Sequence, residues 1–162
     1  MSGNPFLDDT ARLAPSDAVA AILLAPDGRY VLQLRDDIPG IFYPGHWGCF
    51  GGALEASDAS VEAGLRRELA EETGIALAPD AATYFTETTF DMGFAGIGVM
   101  RRVFFEARAS AAEVAGLRLG EGSRFALFTA REALSLPRIV PYDAFALWLH
   151  ANRSRIVPRS KG

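Results

Sequence analysis

The chain has one cysteine, Cys49, in 162 residues. No intrachain disulfide can form, a thiolate metal cluster is excluded, and the usage fits a reducing cytoplasm. Basic charge is not in excess: 16 Lys and Arg stand against 20 Asp and Glu, for a net charge of −4 and a pI near 5.2. A nucleic acid gripped through its backbone charge is therefore not an expected partner, and an anionic small molecule would need a divalent cation to approach so acidic a protein. Long apolar runs are missing, which excludes a membrane span, and Met1–Thr10 lacks the basic start and apolar stretch of a secretion signal. Also missing are internal repeats, heptads, a phosphate-cradling P-loop, and any recognisable nucleophile context around Cys49, His46 or His150.

With 49% of its residues hydrophobic, the chain can bury one substantial core. A single domain is expected over residues 17–151. Residues 1–16, mixing Gly, Pro and Asp without a period, are expected to form a loosely held or disordered arm, and residues 152–162 a basic, frayed tail. Val19 to Leu24, the Pro26-Asp27-Gly28 triplet and Tyr30 to Leu34 predict a β-hairpin, because the triplet supplies turn geometry between two apolar runs. From Asp36 to Gly48, prolines, glycines and aromatics resist regular structure and predict a shaped loop at the rim of a pocket.

A helix is expected to begin at Ser57 to Ser60, where Ser and Asp can cap it, and to end at Gly74. Strands are expected over Thr83–Phe90, Val99–Ala107 and Arg124–Thr129. Ala130–Leu134 predicts a short helix, and Pro141 a last one whose Phe145, Trp148 and Leu149 share a face. Strands and helices mixed in one small domain indicate an α/β class, with a mixed sheet flanked by helices.

The helix ending at Gly74 carries the chemistry. On a wheel advancing about 100° per residue with Val61 at zero, Leu65 falls at roughly 40° and Leu69 at roughly 80°, which marks the buried face. Glu68 then lands at roughly −20°, Glu72 at roughly 20° and Glu71 at roughly −80°. A glutamate-rich helix ordinarily shows its acids to solvent, but here they lie on or beside the buried stripe. Desolvated carboxylates repel one another at a cost of several kcal/mol per ion unless opposite charge is present. Arg67 can pair with one, most naturally Glu71 at i+4, and one guanidinium cannot balance all three. A hard divalent ion can, since it takes oxygen ligands, and Glu68 and Glu72 at i and i+4 can reach the same ion. Gly64, one turn before Glu68, either leaves space above them or marks tight packing.

These residues resemble the signature of the Nudix hydrolases, G-x5-E-x7-R-E-U-x-E-E-x-G-U with U aliphatic. Arg67-Glu68-Leu69-Ala70-Glu71-Glu72-Thr73-Gly74-Ile75 matches its second half throughout, Gly52 supplies the leading glycine, and Trp47-Gly48-Cys49-Phe50-Gly51-Gly52 resembles the family's approach segment. The interval from Gly52 to Arg67 is one residue too long. The first acidic position therefore falls on Ala59 counted from the arginine and on Asp58 counted from the glycine; Asp58 and Glu55 are both candidates for it. Phe50 stands where many members have proline.

The resemblance implies an α/β/α sandwich and a hydrolase that cuts a phosphoanhydride bond in a nucleoside diphosphate linked to some group X, with Mg²⁺, or alternatively Mn²⁺, as cofactor. It implies Glu68, Glu71 and Glu72 as metal ligands, with the Gly51 carbonyl and Glu121 beside them and Arg67 orienting the carboxylates. Glu68 or Glu121 would take the proton of the attacking water. Variable elements would set substrate choice: Arg35, Phe42, Tyr43, Trp47, Gly52 and Asp143 are the expected contacts, with Tyr142 beside Asp143. The alternative expectation is a nucleotide-binding regulatory domain that has lost catalysis, motivated by the extra residue and the missing glutamate. The expected partner is a small nucleotide-type molecule, with no nucleic acid and no membrane, and the chain is expected to act as a monomer or homodimer in the cytoplasm.

Overall fold

The computed structural model describes residues 17–93 and 98–156, so the expected N-terminal arm and residues 157–162 of the expected tail lie outside it. Its organising element is β1, Ala18–Leu24, all seven of whose residues are buried. A strand apolar on both faces needs cover on both, and alternation divides its side chains. Val19, Ala21 and Leu23 join a core with Phe50, Leu65, Leu69, Val103 and Phe105. Ala20, Ile22 and Leu24 join another with Leu32, Trp47, Phe104, Ala146 and Leu147.

As the apolar runs predict, β1 turns through Pro26-Asp27-Gly28 into β2, Tyr30–Leu34, with Gly28 at φ 82°. The two strands pair antiparallel at Leu24 and Tyr30 and then diverge. The gap between them is filled by the segment containing β3, Trp47–Gly48. It pairs first with β2, through Leu34 and Gln33, and then crosses to β1, where Ala21 meets Phe50 and Ala18 meets Ala53. On its other edge β1 runs parallel to β5, Val99–Arg108, and β5 pairs antiparallel with β4, Thr83–Asp91. β6, Arg124–Phe128, pairs antiparallel along the whole of β2. The result is a mixed sheet of six strands.

Helices cover both faces, which gives the α/β/α sandwich. α1, Val61–Thr73, starts at Ser60, whose Oγ accepts from the Ala63 N–H, and stops at Gly74 in the left-handed conformation at φ 75°. Its Leu65 and Leu69 are fully buried against β1, each stabilising the fold by about 1.5–3 kcal/mol. The opposite face carries α3, Ala130–Leu134, and α4, Pro141–Ala151. Thr129, expected to end a strand, instead caps α3 in a capping box with Glu132.

A short helix absent from the sequence expectations, α2 over Ala111–Gly116, follows β5 behind a second capping box of Ser110 and Glu113. The face that Phe145 and Trp148 share on the last helix is the outer one, each being 50% exposed, while Asp143, Ala146, Leu147 and His150 turn inward. Its polar inward residues are satisfied, since His150 meets the Tyr30 hydroxyl at 2.9 Å and Glu106 at 2.8 Å. Arg153–Arg155 of the expected tail makes one 3-10 turn. No helix among the described residues is long and apolar enough to cross a membrane.

Candidate active site

Where β1 and β2 part, the crossing segment brings Gly51 and Gly52 over the side of α1. Gly51 sits at φ 133°, and a Cβ there would strike the Val19 carbonyl, so only glycine can lie so close to β1. Its N–H donates to Glu72 Oε2 at 2.6 Å, and its carbonyl accepts no hydrogen bond among the described residues. Gly52 leaves room for Glu68, whose Oε2 would lie 2.6 Å from any Cβ at that position.

The inward acid is Glu72, as the wheel predicts, at 5% exposure. It also accepts from Gln33 Nε2 at 3.2 Å, and burial pushes its pKa up from 4.5 to about 7. Burial likewise raises the Glu68 pKa, against the lowering influence of Arg67. Glu121 lies near enough for its charge to push both upward. It is placed there because the segment before β6 docks on the end of α1: the Arg118 N–H donates to the Thr73 carbonyl and the Gly120 N–H to the Glu72 carbonyl. A Cβ on Gly120 would collide with the Glu71 carbonyl, so this glycine is needed for the docking.

Glu71, also expected on or beside the buried face, is not: its side chain is 60% exposed and reaches only Arg67 Nη1, at 3.3 Å. Arg67 has stronger partners. Its Nε and Nη2 donate to the two Asp58 oxygens at 3.0 and 3.1 Å, its Nη1 donates to Glu68 at 2.8 Å, and its Nη2 also reaches the Ala53 carbonyl. Of the two candidates for the missing acidic position, Asp58 holds this fork, while Glu55 is exposed and 3.7 Å away. The Arg67 bonds hold the Asp58 carboxyl below its usual range. Gly64 marks tight packing, since a Cβ there would meet Leu54 and the Asp58 carboxylate. The extra residue thus sits in a loop folded onto the helix by Asp58.

A cavity of about 380 Å³ opens beside these groups, lined at one end by Gly51, Gly52, Glu68, Glu72 and Glu121 and elsewhere by Arg35, Phe42, Arg102 and Tyr142. A second, of about 290 Å³, shares Arg35, Glu72 and Glu121 with it and extends along Gln33 and Gly122. Arg35 is fixed by its Nε, which donates to the Phe42 carbonyl at 2.8 Å. Trp47, Tyr43 and Asp143 do not line either cavity. Trp47 is buried edge-on to Phe128 beneath the Arg124 guanidinium, Tyr43 stands edge-on to Tyr142, and Asp143 accepts from the Cys49 N–H at 2.9 Å and from Arg102 Nε at 3.1 Å. Arg102 and Gln33 lay outside the sequence expectations; Gln33 is the lone polar residue of an apolar strand, which is the signal that marks it, whereas Arg102 follows Arg101 in a strand with other charges and carries no such signal.

The oxygen donors along the carboxylate end are the chemistry a hard divalent cation takes: Glu72 is buried, Glu68 half-buried and Glu121 exposed, and Arg67, which bonds Asp58 and Glu68, reaches neither Glu72 nor Glu121. Among the described residues no three acidic or histidine side chains already converge on one point, because Glu68 leans on Arg67 and Glu72 on Gly51 and Gln33.

A family model described as the NUDIX domain matches residues 14–149. No curated protein matches the chain. Among solved structures, a MutT protein from Methanosarcina mazei Go1 is 20% identical with a TM-score of 0.72, over 88% of this chain and 98% of that one. A MutT NUDIX hydrolase from Burkholderia pseudomallei is 25% identical with a TM-score of 0.66, over 84% and 98%. The NUDIX domain of Shewanella oneidensis NrtR, in a complex with ADP ribose, is 22% identical with a TM-score of 0.66, over 92% and 94%.

Proposed function

The chain belongs to the NUDIX domain family and is a Nudix-type hydrolase, and from that footing we propose that it splits the phosphoanhydride bond of a nucleoside diphosphate carrying a further group X. The observation that carries this reading is the gathering of Glu68, Glu72 and Glu121 on one cavity beside Gly51, with the buried Glu72 meeting no cationic side chain among the described residues. Those four would hold Mg²⁺ or Mn²⁺, with Glu71 at the exposed margin. A cation bound there would neutralise pyrophosphate oxygens and lower the pKa of a coordinated water.

The chain's own groups do the rest. Asp58 clamps Arg67, and Arg67 holds Glu68 at 2.8 Å, so the carboxylate is kept in place against its neighbours' repulsion. Glu68 or Glu121 accepts the water's proton. Arg35 has no carboxylate partner among the described residues and faces both cavities, which suits it to a phosphate. Phe42 and Tyr142 offer rings against which a base can lie.

The regulatory alternative drew on the extra residue and the missing glutamate. Asp58 supplies a carboxylate to Arg67 from the shifted loop, which removes that motive and favours catalysis. A screen of nucleotide substrates by product mass, with Mg²⁺ and with Mn²⁺, tests the reading and identifies X. Release of a nucleoside monophosphate that stops on chelation supports it; tight nucleotide binding with no turnover on any substrate would favour the regulatory domain.

A further inference from the structure

Opposite the carboxylates the cavity floor presents a different kind of charge. Ala53, Ala18 and Arg102 are consecutive partners across the sheet, Ala53 with Ala18 and Ala18 with Arg102, so their side chains project from one face, and all three line the cavity. Two strand spacings separate the ends of this row, about 10 Å. The methyl groups of the two alanines leave the space between open. Arg102 thus stands about a nucleoside's length from the segment that carries Gly51 and Gly52.

Its guanidinium is fixed on three sides. Nε donates to Asp143 Oδ1 at 3.1 Å, and the plane lies over Tyr142 at 4.9 Å and Phe104 at 5.5 Å from the ring centroids. Asp143 is fixed in turn, because its other oxygen accepts from the Cys49 N–H at 2.9 Å. Neither Nη atom of Arg102 has a hydrogen-bond partner among the described residues, and Arg102 lines the cavity. The result is a rigid pair of N–H donors whose positive charge is already matched by Asp143. Arg35, without a carboxylate, keeps its charge for phosphate. A matched guanidinium is better suited to a neutral group, and one that can only donate selects an edge with adjacent acceptors.

We propose that Arg102 is a specificity-determining residue that reads the O6/N7 edge of a 6-oxopurine and discriminates against a 6-aminopurine, with Tyr142 as the supporting ring. The geometry of the fork matches two neighbouring acceptors, whereas adenine sets an amino donor beside N7 and meets the guanidinium donor to donor. This assignment rests on the nucleotide reading of the same cavity.

The test measures binding of non-hydrolysable products, GMP, IMP, 7-deaza-GMP and AMP, by calorimetry in Mg²⁺, together with turnover of the corresponding triphosphates. GMP and IMP are expected to bind about ten- to a hundred-fold more tightly than AMP, with 7-deaza-GMP losing most of that advantage. Arg102→Lys keeps the charge opposite Asp143 but not the fork, and should bring the GMP to AMP ratio close to one, with the matching change for the triphosphates carried by KM more than by kcat. Equal affinities for GMP and AMP in the wild type would overturn the assignment, as would a preference that survives unchanged in Arg102→Lys. Absence of turnover with the GMP preference intact would count against hydrolysis alone, so the two failures are distinguishable.

Discussion

At one end of the cavity floor a buried guanidinium meets one buried carboxylate, Arg102 with Asp143, and each retains further support from a ring or a backbone N–H. At the other end Glu68, Glu72 and Glu121 line one cavity, and of the three only Glu68 reaches an arginine, Arg67, which it shares with Asp58. The first set is balanced within the protein; the second is not, and burial, with smaller pushes from Glu68 and Glu121, raises the Glu72 pKa to about 7. Matched buried charge holds a shape, and unmatched buried charge holds a place for a cation.

The largest effect expected from breaking this contrast is at Glu72. Glu72→Gln removes an oxygen charge from the unmatched end and should lower kcat about a thousand-fold. Its pKa is raised on folding, so its contribution to stability is complete below 4.5 and is lost as pH rises through about 7. In metal-free buffer at pH 8, Glu72→Gln should therefore unfold no more easily than the wild type; a clear drop in melting temperature there would contradict the unmatched-charge account. At the matched end the sign reverses. Arg102→Met strands the Asp143 carboxylate and should cost about 3–5 kcal/mol in urea unfolding, with Arg102→Lys costing far less. A negligible cost for Arg102→Met would mean the pair is not what balances Asp143.

A cation should distinguish the two ends without any change in chemistry. Mg²⁺ or Mn²⁺ at about a hundred times its dissociation constant should stabilise the wild type by about 2.7 kcal/mol. The gain should disappear in the Glu68→Gln, Glu72→Gln double variant and persist in Arg102→Lys. An equal gain in all of them would place the ion elsewhere.

The unmatched end was legible in the sequence because one helix carries most of it. Ser60, Gly74, Leu65 and Leu69 fix the limits and rotation of α1, and rotation alone turns Glu72 inward. Glu71 was misjudged because the buried face was drawn too wide: at roughly −80° it already lies about 120° from the centre of the stripe, and its side chain is left in solvent while Glu72 is covered. The matched end was far less legible. Arg102 and Asp143 are 41 positions apart and meet only because β5 joins β1 in parallel, a long-range pairing with no local signature. The inward face of α4 was not legible for the same reason. Asp143 and His150 point inward toward Arg102, Cys49, Tyr30 and Glu106, and large apolar Phe145 and Trp148 are left outside, against what hydrophobicity alone would choose. α2 did carry a readable capping box in Ser110 and Glu113, but it buries no residue and so has no apolar stripe to announce it.

The smallest effects come from two glycines that bracket the crossing segment, one at each end. A methyl group on Gly52 would sit 2.6 Å from Glu68 Oε2, and one on Gly48 would sit 2.9 Å from Asp143 Oδ2 and 3.1 Å from Val140 Cγ2. Glu68 borders an open cavity and can yield into it at the expense of its part-exposed bond to Arg67, so Gly52→Ala should cost little stability, under about 1 kcal/mol, but should lower turnover about ten-fold by displacing the carboxylate. Asp143 is buried between Cys49 and Arg102 and has nowhere to go. Gly48→Ala should therefore cost about 1–2 kcal/mol of stability and weaken base discrimination while leaving the carboxylate end, and the cation-induced rise in melting temperature, unchanged. Were the two substitutions to affect turnover, stability and cation response in the same proportions, the ends of the cavity would be one coupled unit, and the division of labour between matched and unmatched charge would fail.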